Sequence, residues 1–210
     1  MSRRPHFRFE DAYDGPVCGI DEAGRGPLAG PIVAAAVIFD RTRLKPSLTR
    51  EINDSKKLTA QKREDLFGKI QECAEVYWAL CSPDEIDTIN ILQASLFAMK
   101  KAQEGLRTRP QVALVDGNRP PKLSCPVQTI VGGDGLSLSI AAASIIAKHV
   151  RDQMMLEAAN DFPHYGWVRN MGYGTKEHLK ALKIHGVTVH HRRSFSPVAE
   201  LLVKDNNINY

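Results

Sequence analysis

Two adjacent carboxylates, Asp21 and Glu22, close the apolar run Val17-Cys-Gly-Ile, and the turn Gly24-Arg25-Gly26 follows at once. Packing alone does not call for acids at the end of a core strand, because unpaired charge is costly to bury. Two carboxylates at such a point suit a hard divalent cation such as Mg2+, which takes oxygen ligands and keeps part of its water. Glycines directly beyond them let the backbone come close to whatever the cation holds. A cation with close backbone approach points to phosphate chemistry. Further along, residues 112–115 lead into Asp116, and residues 127–131 lead into Gly132-Gly133-Asp134. Three strand ends therefore carry acid. Meeting at one sheet edge, Asp21, Glu22, Asp116 and Asp134 would repel one another. With two Mg2+ or Mn2+ ions bound their charges balance, and both the attacking and the leaving oxygen of a phosphodiester can be clamped. Strand alternation sets one condition: a strand running on through Glu22 sends the two side chains to opposite faces, so a turn at Asp21 is expected.

The elements that must position these groups follow from apolar periodicity. Residues 17–20 and 32–39 are near-continuously apolar and predict consecutive central strands. Thr59 can cap a helix to about Cys73, and residues 75–81 predict a third strand. Ser82-Pro-Asp-Glu85 combines a capping box with proline at the first helical position, ahead of a helix from about Ile89. A long helix is expected over roughly 139–159, and a further one from Thr175 to His185, stopped by Gly186. Strands first, then alternation, then helices favour an α/β domain: a mixed central sheet flanked by helices, with a helical C-terminal extension. Residues 1–15 read as a loose arm, 16–200 as one catalytic domain and 201–210 as a tail. Trp78 and Trp167 are expected in the core.

At 210 residues, 43% hydrophobic and 25% charged, the chain has ordinary globular composition. Its apolar runs are too short to span a bilayer, and no secretory signal precedes the first strand. Cys18, Cys73, Cys81 and Cys125 form no CxxC pair and read as reduced, buried thiols of a cytoplasmic protein. The net charge of +4 leans towards a polyanionic partner. Compact basic groups say more: Lys56-Lys57, Lys148 with Arg151, and His190-His191-Arg192-Arg193. Ser144 and Lys148 are i, i+4 neighbours with Arg151 on nearly the same helical face, a stripe able to track phosphates. His190 and His191 lack partners at zinc spacing and are expected as surface or polar-contact residues.

Six motifs resemble those of bacterial ribonuclease HII, in that family's order and over about residues 16–198. They are Gly19-Ile-Asp21-Glu22-Ala-Gly24-Arg25-Gly26-Pro27-Leu-Ala-Gly30, Asn53-Asp-Ser55-Lys56-Lys57-Leu58, Asp116-Gly-Asn118, Ala142-Ala-Ser144-Ile-Ile-Ala147-Lys148, Gly172-Tyr173-Gly174-Thr175 and His191-Arg-Arg-Ser194-Phe195. The resemblance implies a ribonuclease H-like fold and a metal-dependent endonuclease. Its substrates would be RNA–DNA hybrids and single ribonucleotides embedded in duplex DNA, and the ends left would be 3′-hydroxyl and 5′-phosphate. It assigns metal binding and catalysis to Asp21, Glu22, Asp116 and Asp134, with Mn2+ or Mg2+ as the two-metal cofactor. Gly24, Arg25 and Gly26 would sense the ribose 2′-hydroxyl, and Tyr173 would lie against the neighbouring deoxyribose. Lys56, Lys57, Ser144 and Lys148 would line the phosphates. A monomer is expected.

This chain departs from the family at Gly132, where Lys-Gly-Asp is usual, and at Gly135 and Ala141, which replace frequent serines. Asp152 is a rival fourth acid, but it lies about 27 Å beyond Asp134 if helix runs throughout. Two other readings stand beside ribonuclease HII. Ribonuclease HIII shares the fold but typically carries a sizeable extra N-terminal domain, against about fifteen residues ahead of the first strand here. A non-catalytic hybrid-binding module predicts loss of a strand-end acid, and all four are present.

Overall fold

A computed structural model describes residues 4–207 of the chain. Five strands, β1 (Val17–Ala23), β2 (Ile32–Phe39), β3 (Ala74–Cys81), β4 (Val112–Asp116) and β5 (Val127–Ile130), form one sheet in the order β3-β2-β1-β4-β5. The first three pair antiparallel; β1 with β4 and β4 with β5 pair parallel. β2 lies inside the sheet, and its side chains divide strictly by parity. Val33, Ala35 and Val37 enter one buried cluster, while Ile32, Ala34, Ala36 and Ile38 enter the other. Burial on both faces is why this strand is apolar throughout rather than alternating.

The helices are α1 (Pro46–Glu51), α2 (Ala60–Cys73), α3 (Pro83–Glu104), α4 (Leu138–Asp161), α5 (Trp167–Asn170), α6 (Lys176–His185) and α7 (Ser196–Asn207). Thr59, Ser82, Ser137 and Thr175 cap α2, α3, α4 and α6 through their side-chain oxygens, and Ser82 with Glu85 completes the expected capping box. The helix expected from Ile89 is continuous with that capped start. Asn90, at φ 64°, kinks α3, and its carboxamide oxygen caps the second half by accepting from Leu92 and Gln93 N–H. α2 and α4 cover one face of the sheet and α3 the other. α4 crosses β1 so closely that a Cβ on Gly19 would lie 2.1 Å from the Ser139 carbonyl carbon. That approach sets the start of α4 beside the acidic end of β1. Around the far end of α4, Met155, Trp167, Leu182 and Val198 build a C-terminal core.

Three expectations need correction. Residues 4–15 are not loose: His6 bridges Ser137, the Phe7 ring meets Phe39 edge-on, and Glu10 is only 3% exposed. Local pattern carries no sign of this because the partners of His6 and Glu10 lie more than a hundred residues away. Trp78 is 39% exposed on the edge strand β3, whereas Trp167 is buried as expected. α7 carries Leu201 and Leu202 against the C-terminal core, so the expected tail begins inside a helix. Residues 1–3 of the arm and 208–210 of the tail lie outside the described residues. Among the described residues no helix is long and apolar enough to cross a membrane.

Candidate active site

The acids gather where β1 and β4 end. Ile20 pairs with Val115, so Asp21 and Asp116 follow side by side at the same edge of the sheet. β1 continues through Ala23, and no turn intervenes at Asp21. Alternation therefore does separate the first two acids, contrary to expectation. Asp21 lies opposite Ala35 on the α4 face, and Glu22 lies opposite Ala34 on the α3 face. Glu22 lines a cleft of about 320 Å3 with Arg25, Ser95, Asp116, Asn118 and Arg119. Both stand at the strand's end, with Asp116 within electrostatic reach of each. Asp134 follows β5 in a single 3-10 turn, Gly133–Gly135, ahead of α4.

Each carboxylate finds a local donor. Asp21 Oδ1 accepts from Glu22 N–H at 2.7 Å, and Asp116 Oδ1 accepts from Gly133 N–H at 2.7 Å. Glu22 faces the Arg25 guanidinium at 3.5 Å, and Asp134 faces Lys56 Nζ at 3.6 Å. These donors do not neutralise the cluster. Asp21 is 4% exposed. Burial, reinforced by Glu22, Asp116 and Asp134, holds its carboxyl well above the usual carboxylate range. Burial also raises Glu22 against the opposing pull of Arg25, and raises Asp134 with help from Asp54 and Asp116. Among the described residues no three acidic, histidine or cysteine side chains already close around one point as an ion's ligands. A field of oxygen donors short of positive charge fits Mg2+ or Mn2+.

Beside the acids lies the glycine turn. Gly24 has φ +103°, and a Cβ there would lie 2.2 Å from Arg151 Nε. The atom nearest to a Cβ on Gly26 would be Tyr173 Cε1, at 3.6 Å. Tyr173, 46% exposed, thus stands over the turn from a distant loop. Lys56 and Lys57 are exposed in a short turn at Ser55–Lys57.

Each position of the expected phosphate stripe on α4 has a partner within the protein. Ser144 is buried and shares a hydrogen bond of 2.7 Å with the Ser55 hydroxyl, so it anchors the lysine-bearing turn from beneath. Lys148 is half-buried and donates to Asp152 Oδ1 at 2.7 Å. Arg63 donates to the other Asp152 oxygen at 3.1 Å, so Asp152 is already neutralised structurally and stands apart from the four acids. Arg151 is fully buried and serves backbone carbonyls. His191 is also buried, with its Nε2 3.0 Å from His178 Nε2. The periodicity of α4 identified a shared face but not which side of it met solvent.

Sequence reasoning missed Glu10 entirely. Its carboxylate accepts from Ser137 Oγ, Ser139 N–H and Ser139 Oγ at 2.6, 2.9 and 2.7 Å. A carboxylate at a helix N-terminus satisfies free donors and opposes the helix dipole. It also fixes the start of α4, four residues after Asp134.

The Ribonuclease HII family profile matches residues 18–198. The chain is 55% identical over 199 residues to a ribonuclease HII of Paramagnetospirillum magneticum, covering 95% of this chain and 99% of that one. Among solved structures it is similar to the ribonuclease H2 of Pyrococcus horikoshii OT3. The TM-score there is 0.76 at 28% identity, covering 91% of this chain and 99% of that one. Bst-RNase HIII in complex with Mn2+ shares the fold at TM-score 0.74 and 16% identity, over 91% of this chain and 70% of that one. With the strand-end acids, the glycine turn and Tyr173 gathered at one edge of this sheet, the chain belongs to the ribonuclease HII family.

Proposed function

We propose that the protein hydrolyses the RNA strand of RNA–DNA hybrids and incises duplex DNA at single embedded ribonucleotides. Ribonuclease H endonuclease activity comes with the family; the residue roles and the finer substrate range are our reading. One observation carries it: Asp21, Glu22, Asp116 and Asp134 converge on the sheet edge where Gly24, Arg25, Gly26 and Tyr173 also meet.

Asp21, Glu22, Asp116 and Asp134 would hold divalent cations, as a fold relative holds Mn2+. Bound there, two Mg2+ or Mn2+ ions would neutralise the carboxylates and supply Lewis acidity at the scissile phosphodiester. Water adds to phosphorus, the bond to the 3′ oxygen breaks, and that oxygen leaves as a 3′-hydroxyl opposite a 5′-phosphate. The ribose 2′-hydroxyl is not the nucleophile, so no histidine pair is required as acid and base. Consistent with this, His191 is buried on a Thr188 donor and His178, remote from solvent. The turn at Gly24-Arg25-Gly26 senses the ribose, Tyr173 packs on the adjoining deoxyribose, and Lys56 and Lys57 hold phosphates from the rim. Ser144 acts indirectly, through Ser55, and Lys148 braces Asp152.

The test is incubation of a uniform RNA–DNA hybrid and a duplex carrying one ribonucleotide with Mn2+ or Mg2+, and again with chelator. Cleavage of both substrates that stops on chelation, leaving ends a polymerase extends directly, is expected. Binding without cleavage in saturating metal would instead identify a non-catalytic module.

A further inference from the structure

Arg151 and Arg192 are both 0% exposed, come from α4 and from the segment ahead of α7, and meet on the same stretch of chain. Buried guanidinium groups are ordinarily paired with carboxylates. Among the described residues neither makes a salt bridge. All seven of their hydrogen bonds go to backbone carbonyls. Arg192 donates to Gly24, Arg25, Gly30 and Pro31 at 2.5, 3.0, 3.0 and 3.2 Å. Arg151 donates to Pro31, Ala29 and Met171 at 3.1, 3.1 and 3.0 Å. Six of those seven bonds hold residues 24–31, the loop that carries the glycine turn, and the seventh holds the residue two before Tyr173.

The consequence lies on the other side of each peptide. A trans peptide is planar, and its C=O and N–H point in opposite directions. Drawing the Gly24 and Arg25 carbonyls inward onto Arg192 therefore turns the Arg25 and Gly26 N–H groups outward. Neither N–H has an acceptor within the described protein, whereas Leu28 and Ala29 N–H bond Gly172 O and Gly30 N–H bonds His190 O. Two successive free N–H groups beside the Asp21–Asp116 edge form a small concave donor site for an oxygen atom.

We propose that Arg192 and Arg151 are the positioning residues that give the glycine turn its preference for a ribonucleotide, by fixing the Arg25 and Gly26 N–H groups outward towards a substrate oxygen. The inference rests on the reading above that this turn senses the sugar, and it goes further by naming what orients the turn. Gly24 is part of the same device, since its missing Cβ is the space the Arg151 guanidinium fills. Lysine in place of either arginine keeps the charge but cannot reproduce the planar fork that reaches several carbonyls at once.

The test compares binding of a duplex carrying one ribonucleotide with binding of an all-DNA duplex of the same sequence, by fluorescence anisotropy in chelator so that nothing is cleaved. Wild-type protein should prefer the ribonucleotide duplex. Arg192→Lys should reduce that preference about tenfold, the weight of one to two hydrogen bonds, and leave affinity for the all-DNA duplex unchanged. A merely structural arginine predicts instead a lower melting temperature with equal loss on both duplexes, and that result overturns the proposal. Should Arg192→Lys fail to fold, Arg151→Lys carries the same test, because it removes contacts to Ala29 and Pro31 while Arg192 still holds Gly24 and Arg25. A selective loss there supports the proposal, and an unchanged preference in either folded variant overturns it. Wild-type protein without any preference would refute the sugar-sensing turn itself, and the arginine roles with it. Intact preference in wild type with equal losses in the variants refutes the arginines alone.

Discussion

Acidification should weaken this fold through His191 and His178, by an amount the buried pair sets. Trp167 Nε1 can only donate, and it meets His178 Nε2 at 3.2 Å, so that nitrogen accepts and the His178 proton sits on Nδ1, 3.0 Å from Tyr173 O. His191 Nδ1 accepts from Thr188 N–H at 3.0 Å, which leaves its proton on Nε2 to donate to His178. Every ring nitrogen is occupied while both rings are neutral. Burial, then the neighbouring His178 and His190, push His191 from 6.5 down to about 3. Burial lowers His178 as well. The unfolded chain therefore takes up a proton below 6.5 that the folded protein refuses, and stability falls as pH drops from 6.5 towards 3. At about pH 5, some 1.5 units into that window, His191 alone should cost about 2 kcal/mol at 1.36 kcal/mol per unit. With a urea m-value of about 2 kcal/mol/M, the His191 contribution alone lowers the midpoint by about 1 M between about pH 7.5 and about pH 5. An opposite contribution comes from the raised carboxyls of Asp21, Glu22 and Asp134, which take up protons in the folded protein. Urea unfolding of wild type and His191→Gln at both pH values isolates the effect. The variant should start less stable and lose about 2 kcal/mol less on acidification. Equal losses in the two proteins, or an imidazole at this position titrating near the ordinary histidine value by NMR, would refute the reasoning.

Asp21→Asn removes a buried charge that Glu22, Asp116 and Asp134 all oppose, while the carboxamide oxygen can still accept from Glu22 N–H. Metal-free protein should therefore melt about 2–4 °C higher, and the stabilisation that wild type gains from Mn2+ should shrink; a lower metal-free melting point contradicts this. Glu10→Ala strips three donors at the start of α4 of their acceptor and should cost about 2–4 kcal/mol in urea unfolding; a change under about 0.5 kcal/mol would show the arm to be dispensable. Tyr173→Ala should lower cleavage of a single embedded ribonucleotide far more than cleavage of a long hybrid, which offers many registers. Lys56→Ala should depress both substrates alike and flatten the salt dependence by about one phosphate contact. Equal losses in Tyr173→Ala would make Tyr173 a packing residue.

Much of the site was legible because acids at strand ends and paired glycines break the ordinary grammar of a core. Asp21, Asp116 and Asp134 stood out for that reason, and the unbroken apolar run of β2 made the sheet visible. What sequence could not reveal was direction. A helical period shows that Ser144, Lys148 and Arg151 share one face, but their burial depends on loops 24–31 and 55–57, which pack over α4 from far away in the chain. Buried arginines look like surface charge until their carbonyl partners are known. The separation of Asp21 from Glu22 was foreseen as a consequence of a continuous strand, yet the turn expected to avoid it did not form, because pairing with β2 runs on to Ala23. Glu10 and the arm were illegible because a single buried carboxylate leaves no periodic trace.

The most direct measurement is single-turnover cleavage of a duplex carrying one ribonucleotide, in saturating Mn2+, by Asp21→Asn, Asp116→Asn, Asp134→Asn and Asp152→Asn. Each change keeps side-chain size and removes one charge. Catalysis by the strand-end acids predicts that the first two variants lose cleavage while remaining folded and that Asp134→Asn is strongly impaired. Asp152→Asn should keep its rate where it is folded, its cost falling on stability through Lys148 and Arg63. Near-wild-type turnover in Asp21→Asn or Asp116→Asn, or a severe rate loss confined to folded Asp152→Asn, would contradict it.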